Sequence, residues 1–216
     1  PFGPDFSASE WKPDVVLGAG VGTESRVGAV AAMRQTVANL KGDLGTYVAK
    51  LYAEKPYAVP QVVKRGSKPL RTRQTPKGAG GIYRPAVDTL HVAEGQIEHA
   101  LTHEMGHQIT AIGSRHLVPM LGRTKANAFR KEIKSAFNAA KKRETREFLP
   151  GVKQAGSITE YAMKNLDEYM GEGFQFAQQN PNLFAGVDDE LLRIMRKYLV
   201  TDKPVSFDTM LYRGGK

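Results

Sequence analysis

His103-Glu104-Met105-Gly106-His107 lies within Gln96 to Ala111, a stretch whose Ile97, Ala100, Leu101, Met105 and Ile109 recur at helical intervals. At about 100° per residue, positions i and i+4 stand roughly 40° apart and one turn along the axis, so the two imidazoles converge. Two converging imidazoles suit one zinc ion, with Zn–N near 2.0–2.1 Å. Glu104 points about 100° away from His103, off the ligand face yet within reach of a water on the ion. Such a carboxylate serves as general base for a water acidified by zinc. Gly106 costs the helix about 1 kcal/mol against Ala, which a tight contact or substrate clearance would explain. The bland alternative is a surface helix carrying two unrelated histidines. The apolar stripe beside the motif counts against it.

A catalytic zinc needs a third protein ligand and an open fourth position. The H-x-x-G-x-x-H extension fails, because Thr110 stands where Gly is needed and Gly113 where the third His is needed. His116 falls past the expected helix end and His91 lies in a strand-like run, so neither is well placed. His99, one turn before His103, is too far along the axis to share the ion and is expected either behind the ligands or as partner to a carboxylate. The best source of the missing ligand is Tyr161-Ala162-Met163-Lys164-Asn165-Leu166-Asp167-Glu168-Tyr169-Met170-Gly171-Glu172-Gly173-Phe174. Read as one helix to about Gln179, it puts Glu168 and Glu172 at i, i+4 and Tyr161 on the same face. Two acids so spaced are usually a solvated face. Here Tyr169, Met170, Phe174 and Phe176 imply burial, and a buried carboxylate pair without cations is costly. Zinc would resolve that cost.

H-E-x-G-H followed some sixty residues later by Tyr-x-x-x-Asn-x-x-Glu-aromatic-x-x-Glu-x-Phe resembles the catalytic domain of anthrax lethal factor and its relatives. That zinc metalloprotease group includes domains of bacterial toxins, Pro-Pro endopeptidases and phage-encoded proteins. The likeness spans residues 82–176. It implies a gluzincin-type endopeptidase with His103, His107 and Glu168 on zinc and Glu104 as general base. It also implies Tyr161 as hydrogen-bond donor to the oxyanion, and Glu172 behind the ligands, orienting a histidine. The run Thr89–Val92 corresponds to an edge strand that pairs with extended substrate in relatives, or else to a plain core strand. The group often has Ala on both sides of the second Glu. Gly171 and Gly173 stand there in this chain and are expected to loosen the helix around Glu172.

The rest of the chain sets the frame. Its 216 residues suffice for a substantial core, and no apolar run approaches the roughly 18–20 residues of a membrane span. Zero cysteine excludes disulfides, thiol catalysis and Cys-ligated metals, leaving His, Asp and Glu for metal chemistry. The net charge of +9 is segregated. Residues 61–87 carry seven basic side chains and no acid, and residues 120–147 carry nine against Glu132, Glu144 and Glu147. If both windows rim the cleft, they favour acidic peptide or protein substrates. Nucleic acid is the weaker reading, since only Tyr83, Phe129 and Phe137 interleave with the charge.

The chain opens Pro1-Phe2-Gly3 with no charged-then-apolar leader and reads as a segment of something longer; the resemblance implies a delivered or secreted effector or a phage-particle protein. Residues 1–25 are expected to form a leader or wrapped arm, and residues 26–216 one metalloprotease domain. Helices are expected over Arg26–Leu40, Lys125–Phe148 (closed by Pro150-Gly151) and Val187–Val200, with a Ser157-Ile158-Thr159-Glu160 capping box opening the Glu168 helix. Strands are expected at Tyr57–Lys64, Ile82-Tyr83 and Thr89–Val92, a loop or open hairpin at Arg65–Gly81, and a turn at Asn180-Pro181-Asn182. The expected fold class is α+β, mostly helical, with a small mixed sheet over the active-site helix, which the resemblance implies to be a zincin-like domain. A structural or binding module of a toxin-delivery or phage particle, keeping that fold with little turnover, is the competing reading.

Overall fold

A computed structural model describes residues 11–73, 75, 77–143, 159–182 and 186–204, together with the backbone of 146–149 and 152–154. Its α+β architecture is mostly helical. Strands β1 (Val16–Leu17), β2 (Gln61–Val63), β3 (Gly81–Arg84) and β4 (Thr89–Ala93) form a mixed sheet in the order β1-β2-β4-β3. β1, β2 and β4 run parallel, and β3 is antiparallel to β4 with Ile82 opposite His91. Helices α1 (Glu24–Ala38) and α2 (Leu44–Glu54) precede β2, and α3 (Ile97–Thr110) follows the sheet. Then come α4 (Leu117–Leu121), α5 (Arg123–Ala140), a hairpin β5–β6 (Arg146–Leu149 and Val152–Gln154), α6 (Leu166–Gln179) and α7 (Asp189–Tyr198). No helix among the described residues is long and apolar enough to cross a membrane.

Alternating burial explains the sheet. Leu90, Val92 and Tyr83 point into the core with Val62, where they meet Leu101 and Met105 of α3. Met33 and Val37 of α1 close the same core, and Phe129, Ile133, Phe174, Leu191 and Met195 extend it across α5, α6 and α7. The chain is tied together at its far end, where Leu40 bridges Val200 and the Lys41 amide donates to the Leu199 carbonyl.

Several sequence expectations shift. Residues 44–54, unassigned from sequence, are helical, and Leu44, Val48, Leu51 and Tyr52 are their buried face. The strand expected over Tyr57–Lys64 contracts to three residues, because Pro56–Ala58 form a 3-10 turn. The long basic helix stops at Ala140 instead of Phe148. Arg143 is held by Asp188 at 2.9 Å beside α7, and residues 146–149 pair as a strand with 152–154. Pro150 and Gly151, read as a helix stop, lie outside the described residues, as do Ser157 and Ile158 of the capping box and residues 1–10 of the expected arm. Residues 11–17 are built into the fold: Trp11 stacks on Tyr52 and β1 extends the sheet. Of Asn180-Pro181-Asn182, only Asn180 leaves the helical conformation.

The strand Thr89–Val92 is not at an edge. β4 lies between β2 and β3, so among the described strands the edge nearer α3 is β3. The reason is topological: the tight reversal at 85–88 folds β3 back onto the outer side of β4.

Candidate metal centre

α3 and α6 pack against one another closely enough to bring four acidic or imidazole side chains together. Close packing requires glycine at two contacts. A Cβ on Gly106 would lie 2.9 Å from Phe174 Cδ1, and one on Gly171 would lie 2.9 Å from Cε1 of both His103 and His107. Gly106 is therefore a helix-contact residue, as one of its two sequence readings allowed. Gly171 and Gly173 do not interrupt α6, which runs unbroken from Leu166 to Gln179.

In the resulting niche His103 Nε2 and His107 Nε2 stand 3.2 and 3.1 Å from the same Glu168 oxygen, Oε2. One ligand atom from each of the three residues falls within a 4.8 Å cluster that could hold a metal ion. The two imidazoles are near perpendicular, at 85° with centroids 4.6 Å apart. His103 Nδ1 meets Glu172 Oε1 at 3.2 Å, which leaves Nε2 as the nitrogen aimed into the cluster. Glu172 is in turn anchored by the Thr159 hydroxyl, which donates to Oε2 at 2.8 Å.

Tyr161 reaches the site by a different route from the expected one. The chain from 161 to 179 is not one helix: Ala162–Lys164 form a 3-10 turn and Asn165 is extended. Asn165 then caps α6, its Oδ1 accepting from the Glu168 amide at 2.9 Å. The Tyr161 hydroxyl still donates to Glu168 Oε1, at 3.0 Å, while its ring stays half exposed. Asn165-Leu166-Asp167-Glu168 thus carries a helix start that the sequence reading passed over. Thr159 was visible only as part of a capping box, and its contact with Glu172 has no local sequence signal.

Glu104 is buried on the cleft side of α3, directly beneath β3. A Cβ on Gly81 would lie 2.5 Å from Glu104 Cγ, so only glycine fits there. Burial pushes the Glu104 carboxyl up, opposed by the two imidazoles and by the nearby Tyr83 backbone. For His103, burial favours the neutral ring, but the Glu168 and Glu172 carboxylates outweigh it and raise the value to about 10. Glu168 goes the other way: burial is overcome by its hydrogen bonds to His103 and His107, holding it well below the usual carboxylate range. Tyr161 is raised by burial and by the facing Glu168 charge. Among the described residues no Lys or Arg pairs with Glu104, Glu168 or Glu172, so this buried negative charge is balanced only by imidazole. A divalent cation fits such a donor set.

His99, His91 and His116 are not brought to the cluster. His99 is exposed and meets no carboxylate among the described residues, since Glu172 approaches His103 one turn further along α3. His91 stands on β4, and His116 pairs with Asp88.

The cluster opens into a cleft of about 370 Å³ between β3 and the 161–168 segment, bordered by Thr72, Thr75, Gly81, Lys164 and Asp167. Ala93 N donates to Gly80 O at 2.7 Å, making that opposed pair the hydrogen-bonded one. Alternation then turns the backbone groups of Gly81 and Tyr83 away from β4. The first basic window contributes uncharged residues such as Thr72 and Thr75 to this lining, but none of its seven basic side chains. The second, on α5, contributes none of its described lining, contrary to the expectation that both windows rim it.

No family model, curated protein or solved structure matches the chain. The site is therefore read from its own chemistry.

Proposed function

We propose that the chain is a zinc-dependent endopeptidase with a zincin-like fold, of the kind its motifs resemble in the anthrax lethal factor group. The observation that carries this reading is the convergence of His103, His107 and Glu168 beside a buried Glu104, beneath a strand edge. Two imidazoles and one carboxylate with an open side are a common catalytic zinc set, whereas magnesium and calcium favour all-oxygen ligands. Zinc bound there would act as a Lewis acid, acidifying water and polarising a scissile carbonyl.

The chain's own groups supply the rest. Glu104 Oε accepts the proton of the attacking water and returns it to the leaving amine, aided by burial that favours its protonated form. Tyr161, held in its neutral form, turns its hydroxyl from Glu168 to the carbonyl oxygen as negative charge grows there. Glu172 and Thr159 fix the His103 ring so that Nε2 stays aimed at the ion. An extended peptide adds to β3 through the outward backbone groups of Gly81 and the Tyr83 carbonyl, which brings its own carbonyl over the cluster.

The peptide favoured by this cleft is acidic. Lys164 lines the cleft, and the segment 64–84, which supplies Thr72, Thr75 and Gly81 to the facing wall, holds seven basic side chains without one acid. Arg71 and Arg84 spend their guanidinium donors on backbone carbonyls, so none of this charge is neutralised by a carboxylate among the described residues.

Metal analysis tests the reading. The purified chain after incubation with zinc is expected to retain about one ion, and Glu168→Ala or His107→Ala to lose it while staying folded. A folded wild-type chain that takes up no zinc overturns the proposal.

A further inference from the structure

Asp88 sits in the β3–β4 reversal at φ 54°, the one described non-glycine residue with positive φ. Its side chain is almost wholly buried, and a buried carboxylate is tolerated only when paired and hydrogen-bonded. Asp88 is well supplied. His116 Nε2 lies 2.9 Å from both of its oxygens, the Tyr83 hydroxyl donates to Oδ1 at 3.0 Å, and the nearby Gln108 side chain further favours the charged form. Each partner comes from a different element. Gln108 follows His107 on α3 and is itself held by the Tyr52 hydroxyl and the Ala58 carbonyl. His116 follows α3 and meets the Tyr47 hydroxyl of α2 through Nδ1. The same two segments touch again where Arg115 donates to Ala86 O.

None of these groups takes part in the proposed chemistry, yet one of them touches it. Tyr83 ties Asp88 to the cleft: its hydroxyl is on Asp88, and two residues before it on β3 Gly81 packs directly against Glu104. We infer that Asp88 and His116 are positioning residues that hold β3 in place against Glu104, and so fix the cleft wall along which an extended peptide is held. The inference rests on the endopeptidase reading for its consequence, although the bracing itself is a property of the fold.

The test uses three variants of the zinc-loaded full chain: Asp88→Asn, His116→Gln and the milder Tyr83→Phe, which removes only the hydroxyl link. Hydrogen exchange at the amides of residues 82–84 is expected to quicken at least about tenfold relative to α5 amides, as for a local opening. Zinc content is expected to stay at the wild-type level. For extended peptides KM is expected to rise about tenfold, with kcat changing much less, as loss of substrate positioning requires. If β3 exchange is unchanged in all three, or rises only in step with α5, the pair is merely structural and the inference falls. If the wild-type chain binds zinc but cleaves no peptide, the endopeptidase reading fails, while the exchange result still decides whether the brace exists.

Discussion

At the residue scale, the centre depends on a missing methyl group. Gly171 faces both ligand imidazoles, and a Cβ there would press 2.9 Å against each Cε1. Gly171→Ala is expected to weaken zinc affinity at least about tenfold by tilting the rings, an effect comparable to loss of an outer-shell partner. Competition with a chromogenic chelator measures it, and unchanged affinity would show that α6 shifts without strain. The i, i+4 spacings of His103 with His107 and of Glu168 with Glu172 were readable in sequence because they depend only on helical geometry. The contact between Gly171 and the imidazoles was not, because it arises from how near α6 lies to α3. From sequence, the same glycine looked like a point of weakness.

At the element scale, the ligand helix begins at Asn165, so Glu168 is placed by a cap. Removing the cap with Asn165→Ala is expected to cost about 1 kcal/mol in denaturant unfolding, and to weaken zinc binding because the Glu168 amide loses its acceptor. A variant as stable as wild type with full zinc affinity would mean that packing alone holds Glu168. The sequence placed Tyr161 correctly with respect to Glu168 for a reason that does not hold, since the two share no helix. The tyrosine ring spans the break instead. Strand order was likewise out of reach. β1 has two residues and β2 three, too few to show a period, and whether β3 or β4 lies at the edge is decided by pairing across the sheet. The α5 terminus misled for the same reason: the Arg143–Asp188 contact that accompanies it joins residues 45 positions apart in sequence.

At the scale of the whole molecule, the positive charge concentrates in two segments with different neighbours, while the remainder of the chain is net acidic. One belongs to the segment that supplies Thr72, Thr75 and Gly81 to the cleft, and the other lies on α5, where Glu132 already engages Lys197 and Arg193 of α7. Acidic peptides are therefore expected to be cleaved with higher kcat/KM than neutral ones. That advantage should shrink as salt rises from about 0.05 to 0.5 M and the screening length falls below 10 Å. An advantage that resists salt would have to come from shape instead.

The account stands or falls on Glu104. Peptide-library hydrolysis by the zinc-loaded wild-type chain and by zinc-loaded Glu104→Gln, at equal zinc content, is the most direct measurement. The account predicts cleavage by the wild type and a loss of about 10²–10⁴-fold in the variant, the usual worth of a general base. Equal rates in the two proteins, or no cleavage by a wild type that carries its zinc, would contradict it.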